Sequence, residues 1–293
     1  MKSVDLSQQE IITAKDVESA GISGAAEILA GTRAVLENDA RDLLVKYAIA
    51  VRFVIGMESL ASDSRVENLF NSPQARVIKE EICAVGRKLW LRGLVNGNGG
   101  NISCRVGENE VICTPTLFSK FDLTPKDLCL VDIEGKHIAG CRSITSEVYL
   151  HLEVYKNEPK AKSVVHCHPP HATAYAICGH VPPTSLSSEF DVFIGGVALA
   201  GYETPGTREF AKTVRPYVQD YNVILLANHG ILCWADTPTH AEWYAENLEI
   251  YCQTLLIARQ LGVPYSPIPP SKEEDLLAIR KRLGLPNNRG KRN

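Results

Sequence analysis

No run of apolar residues in this chain approaches the roughly eighteen that a membrane-spanning helix requires. Neither sign of charge prevails: 31 basic residues against 34 acidic leave a net charge of −3, which gives nucleic acid or an anionic membrane surface nothing to select. The opening residues Met1-Lys2-Ser3-Val4-Asp5-Leu6 hold no apolar secretion core. Nine cysteines, an odd number, are scattered without paired metal-type spacing, so reduced and mostly buried thiols are expected. Together these absences point to a cytoplasmic protein with no nucleic acid and no membrane among its partners. Apolar residues nevertheless make up 45% of the chain, enough to bury a substantial core.

Proline is missing before Pro73, and residues 1–74 favour Ala, Leu, Val and Glu. Ala34 to Gly56 carries Val35, Leu43, Leu44, Tyr47, Val51 and Val54 at helical spacing, and Ser23-Gly24-Ala25-Ala26-Glu27 reads as a helix entry. A helical extension of two or three helices is expected there, serving packing, oligomerisation or docking to an assembly. Beyond it, helices are expected over Pro73 to Leu91, Ser146 to Tyr155, Gly206 to Tyr217 and Thr237 to Leu261. Strands are expected at Glu110 to Cys113, Leu128 to Asp132, Val164 to His168 and on both sides of His229. Neither repeat nor linker interrupts residues 75–262, which read as one α/β domain. Residues 263–293 read as a tail with a short helix, frayed from Asn287 onward.

The chemistry concentrates in Val164-Val165-His166-Cys167-His168 and Ala227-Asn228-His229-Gly230. Side chains two apart on a strand point the same way, so His166 and His168 are aimed at one spot with Cys167 on the opposite side. His229 sits at the end of a second apolar strand. Three neutral imidazoles leave a divalent zinc its full charge and one open position, the layout of a catalytic rather than a closed structural site. Glu147, at a helix start shortly before the metal strand, is the candidate proton carrier. Thr145 and Ser146 offer hydroxyls and backbone N–H groups at the same helix start, a setting that favours phosphate or carboxylate. The Gly99-Gly100-Asn101 loop allows close backbone approach to a ligand. Lys120 and Arg142 read as solvated surface charges.

Gly100-Asn101-Ile102-Ser103, Thr114-Pro115-Thr116, Thr145-Ser146-Glu147, His166-Cys167-His168 and Ala227-Asn228-His229-Gly230 occur in the order seen in the class II aldolase/adducin family. Residues 75–262 resemble most the members of the fuculose-phosphate aldolase type. The resemblance implies an α/β/α sandwich around a central, mainly antiparallel sheet, assembled as a homotetramer with active sites at subunit interfaces. It also implies Zn²⁺ on His166, His168 and His229, Glu147 as acid/base, and a phosphate cradle of Asn101, Thr116, Thr145 and Ser146. The implied reaction is reversible cleavage of a sugar phosphate, a ketose 1-phosphate such as L-fuculose 1-phosphate, to dihydroxyacetone phosphate and lactaldehyde. For the extension, the corresponding expectation is docking to the shell of a bacterial microcompartment.

Three departures from the family pattern bear on the substrate. Leu117 stands where the family's TPTG loop has glycine. Thr145 replaces a serine. Ser185-Leu186-Ser187-Ser188-Glu189 occupies the stretch where these aldolases carry a tyrosine. Leu117 leaves open a decarboxylase or dehydratase acting on a non-phosphorylated substrate. Asp191 leaves open a pentulose-phosphate 4-epimerase, which Glu147 opposes because the epimerases have Asp there. A scaffold like the adducin head is a third alternative, and retention of all three histidines and the glutamate argues against it.

Overall fold

The computed structural model describes residues 3–6, 9, 11–31, 35–36, 38–54 and 64–285. The chain divides into two compact units, Met1–Ser64 and Arg65–Asn293.

The first unit is α/β rather than helical. Strands β1 (Ser3–Leu6), β3 (Glu27–Gly31) and β5 (Ala50–Val54) form a parallel sheet in the order β1-β3-β5. A second parallel pair joins β2 (Ile11–Ile12) to β4 (Val35–Leu36). Helix α1 (Ala14–Ile22) starts at a capping box between Thr13 and Asp16, and α2 (Asn38–Lys46) packs with it. Ser23-Gly24 ends α1 instead of opening a helix, with Gly24 at φ +70° just past the cap. The helical reading of Ala34 to Gly56 resolves into β4, α2 and β5; Ala34, Glu37, Ile55 and Gly56 lie outside the described residues. Short apolar runs of buried parallel strands lack period-two alternation and cannot be told from helical turns by spacing. The expected helical docking segment rested on that texture.

The second unit is an α/β/α sandwich. Its helices and strands, in chain order, begin with α3 (Ser64–Phe70), α4 (Pro73–Leu91), β6 (Asn101–Arg105), β7 (Glu110–Cys113), β8 (Cys129–Asp132) and β9 (His137–Ala139). They continue with α5 (Val148–Asn157), β10 (Ser163–Cys167), α6 (Pro170–Cys178), α7 (Ser188–Phe193), β11 (Ala198–Ala200) and α8 (Arg208–Lys212). The last are β12 (Val223–Leu226), β13 (Gly230–Ala235), α9 (Pro238–Gln260) and α10 (Pro270–Arg282). The sheet order is β11-β12-β13-β10-β6-β7-β8-β9, antiparallel except between β11 and β12.

Alternation along each strand decides which layer covers it. Val165 and Cys167 join Ile102, Leu225 and Ile231 on one face, under α4, α6 and α9. Val164 joins Val111, Ile224 and Leu232 on the other, under α5 and α8. All five residues of β10 are buried, as a central strand with both faces covered requires. Helix α8 is shorter than expected, ending at Lys212. The C-terminal residues are not a separate tail, because α10 docks on α7 through buried Arg280, whose Nη1 donates to Val192 O at 2.6 Å. Asn287 to Asn293 lie outside the described residues. Among the described residues no helix is long and apolar enough to cross a membrane.

Candidate active site

Strand β10 delivers His166 on the same face as Val164, and His168 follows directly after the strand, its N–H donating to Leu94 O at 2.9 Å. The two rings lie 4.7 Å apart, centroid to centroid, while Cys167 faces the opposite core. His229 arrives on the turn between β12 and β13, where Asn228 takes φ +56°, a left-handed conformation that Asn tolerates. Pairing of β10 with β13, Cys167 opposite Ile231, sets that turn beside the end of β10. The Phe210 ring backs His229 at 5.3 Å.

The three imidazoles converge. His229 Nε2 lies 3.0 Å from His166 Nε2 and 3.4 Å from His168 Nε2. Tetrahedral ligands about 2.0–2.1 Å from zinc would be separated by about 3.3 Å; these two distances are of that order, all three ligand atoms lie within 4.8 Å of one another, and the group could hold a metal ion. His166 Nδ1–H donates to Ile231 O at 2.8 Å, which puts the ring's lone pair on Nε2, facing the other two rings. Burial lowers the His166 pKa, and burial with the neighbouring imidazoles lowers that of His168 to about 3.

Glu147 completes the cluster. It is the N-cap of α5, so the helix starts two residues later than expected, and its side chain makes no cap bond. It is turned toward the histidines instead, with Oε2 3.3 Å from His166 Nε2 and Oε1 3.2 Å from His229 Nε2. Asn101 Nδ2 donates to Oε2 at 2.8 Å. Burial works to raise the carboxyl's pKa, but His166, His229 and the Asn101 amide outweigh it and hold the group well below the usual carboxylate range.

The other expected site residues lie on β6 and on two joined segments, the loop after β7 and the entry to α5. Asn101 opens β6 directly opposite His166 of β10. Gly100 is held at φ +70° where an added Cβ would lie 2.8 Å from His166 O, so only glycine lets this loop run against β10. Thr116 N–H donates to Ser143 O at 3.0 Å and Thr145 N–H to Thr114 O at 3.2 Å, tying the loop after β7 to the segment entering α5. Ser146 is exposed beside them. Leu117 takes φ +51° and is 81% exposed, so the loop keeps the left-handed turn that glycine would give it.

Lys120 departs from expectation. It is 1% exposed, and its ammonium donates to Asn98 O at 3.0 Å and to Phe118 O, stapling the glycine loop to the Thr114–Lys120 loop. Burial lowers its pKa to about 8. Arg142 pairs with Asp127 at 2.6 Å over the Phe118 ring. Asp191 is buried and accepts from Ser185 N–H at 3.2 Å, holding the loop before α7. Thr207 caps α8, accepting from Phe210 N–H at 3.1 Å.

Residues 80–256 match the family described as "Class II Aldolase and Adducin N-terminal domain". A 5-deoxy-D-ribulose 1-phosphate aldolase from Bacillus thuringiensis serovar kurstaki is 32% identical over 200 residues, 68% of this chain and 92% of that protein. A 3-oxo-tetronate 4-phosphate decarboxylase from Haemophilus influenzae is 30% identical over 175 residues, 58% of this chain and 83% of its own. Among solved structures, an L-fuculose 1-phosphate aldolase superposes with a TM-score of 0.64 at 28% identity, covering 71% of this chain and 97% of that one. With the histidine cluster, the sheet order and these similarities in agreement, this chain belongs to the class II aldolase/adducin family.

Proposed function

We propose that this protein is a zinc-dependent lyase that reversibly cleaves a ketose 1-phosphate, such as L-fuculose 1-phosphate, to dihydroxyacetone phosphate and lactaldehyde. The observation that carries the reading is the Glu147 carboxylate, 3.2–3.3 Å from the Nε2 atoms of two of the three convergent histidines. His166, His168 and His229 would hold the cation, which when bound supplies Lewis-acid polarisation of substrate oxygens. In cleavage the C3–C4 bond breaks, the C4 hydroxyl gives up its proton and becomes the aldehyde, and C3 gains a proton. Glu147 carries that C3 proton, donating it in cleavage and removing it in condensation. Being held ionised, it starts as the base of the condensation direction. Thr116, Thr145 and Ser146, with the second amide proton of Asn101, would receive the phosphate. The exposed apolar side chains of α9, Trp243, Ile250 and Leu256 among them, support self-association as the expected homotetramer.

A second reading draws support from the similarity to the decarboxylase. Loss of CO₂ from a 3-oxo acid also leaves an electron pair beside a ketone, to be protonated at carbon by the same Glu147 once it has taken up a proton from water. Zinc-loaded protein assayed with L-fuculose 1-phosphate, 5-deoxy-D-ribulose 1-phosphate and 3-oxo-tetronate 4-phosphate separates the two. Release of dihydroxyacetone phosphate without CO₂ supports the aldolase reading, and CO₂ release alone overturns it.

A further inference from the structure

A line of buried polar side chains runs away from Glu147 between α5 and β6. Glu147, His151 and Tyr155 follow one another at four-residue steps along the helix, and Asn101 and Ser103 at a two-residue step along the strand beneath. Four helical residues advance about 6 Å and two strand residues about 6.8 Å, so the two rows stay in register. His151 is wholly buried, and Ser103, Tyr155 and Asn101 are 1%, 2% and 5% exposed. Ser103 Oγ meets the Tyr155 hydroxyl at 2.8 Å and His151 Nδ1 at 2.7 Å, and His151 Nε2 meets Asn101 Oδ1.

The direction of every proton in this line is determined. Asn101 Nδ2 donates to Glu147 Oε2 at 2.8 Å, so its oxygen faces His151. His151 therefore carries its proton on Nε2, and its Nδ1 accepts from the Ser103 hydroxyl. Ser103 has one proton, so Tyr155 must donate to it. Burial lowers the His151 pKa to about 3, which keeps the ring neutral, as this pattern requires. Reversed, the line would turn the Tyr155 hydroxyl proton away from Ser103, the one partner it meets among the described residues.

The geometry points to His151 as a positioning residue for the proton carrier: through Asn101 it holds the amide so that Glu147 is met by N–H and not by C=O. The inference rests on the acid/base reading of Glu147, but not on which sugar phosphate is cleaved. Without a donor at His151, the Asn101 oxygen is left unsatisfied in a buried site, and the amide is no longer held in the orientation that aims its N–H at the carboxylate. Glu147, losing that fixed N–H donor, then moves away from the histidine cluster.

The test compares His151→Leu, which can neither donate nor accept, with His151→Gln, whose amide can donate to Asn101 and accept from Ser103. For full-length, zinc-loaded protein the expected result for His151→Leu is a kcat roughly tenfold to a hundredfold lower, with KM and bound zinc within about twofold of wild type. His151→Gln is expected to restore kcat to within about threefold. Crystal structures of the metal-free variants give a readout that needs no substrate: Glu147 leaves Asn101 in His151→Leu and stays in His151→Gln. Should His151→Leu not fold, His151→Asn carries the comparison, since its shorter amide reaches Ser103 but not Asn101. An unchanged Asn101–Glu147 bond in the variant lacking the donor overturns the inference, as does equal loss of kcat in His151→Gln. If the wild type turns over none of the proposed substrates, the functional reading fails while the crystallographic comparison still decides the role of His151.

Discussion

Gly230 is packed against His168 so closely that a Cβ added there would lie 2.7 Å from Cδ2 of the ring and 2.5 Å from Cys167 O. Neither atom can retreat cheaply, because Cys167 O belongs to a central strand and the ring is one of the three convergent imidazoles. Gly230→Ala is therefore expected to push His168 out of the cluster. Bound zinc should fall at least tenfold in affinity, and stability by about 1–3 kcal/mol from the forced shift. Competition with a chromophoric chelator measures the first and urea unfolding the second. Wild-type zinc affinity in this variant would show that His168 is not a ligand.

Leu117 holds φ +51° in the loop before Lys120, with its side chain in solvent. A left-handed non-glycine residue costs roughly 1–2 kcal/mol, and a β-branched one more. Leu117→Gly relieves that strain while loosening the unfolded chain, so its urea midpoint should match or exceed wild type. Leu117→Val should be less stable than wild type by roughly 1 kcal/mol. The reverse order would mean that the loop adopts another turn.

His151 also predicts a pH dependence of stability in the metal-free protein. Its folded pKa, about 3, lies below the ordinary value of 6.5. Between those values the unfolded chain binds a proton that the folded chain refuses. The stability contributed by the neutral ring is thus complete above about pH 6.5 and is lost as pH falls toward 3, at up to about 1.4 kcal/mol per pH unit. His168 contributes in the same sense. Urea midpoints from pH 7 to pH 4 should fall less steeply in His151→Gln than in wild type. Parallel slopes would mean that this ring is protonated in the folded state.

The histidine cluster was legible because its parts are local: a His-x-His on a buried strand, and a histidine and glycine closing another. Glu147 was legible through its company, although the helix begins two residues later than its sequence signals suggest. His151 carried a signal too, a histidine one helical turn after the glutamate, but its meaning depends on which strand lies beneath α5. That pairing is set by the order of the sheet. Lys120 reads as a solvated loop cation in any local window, and only the closing of two loops over it makes it a staple. The first unit was misjudged for a related reason, since Ile28-Leu29-Ala30 becomes a strand by pairing with β1 and β5, and neither neighbour is close in sequence.

The central claim is that one cation held by three histidines works with a proton carried by Glu147. Glu147→Gln, nearly the same in shape but unable to exchange a proton, addresses it most directly. The variant should bind zinc one-to-one like wild type, yet cleave the ketose 1-phosphate at least about a hundredfold more slowly, the order expected for loss of an acid/base group. Cleavage within a few-fold of wild type at full zinc occupancy would place the proton carrier elsewhere and contradict the account.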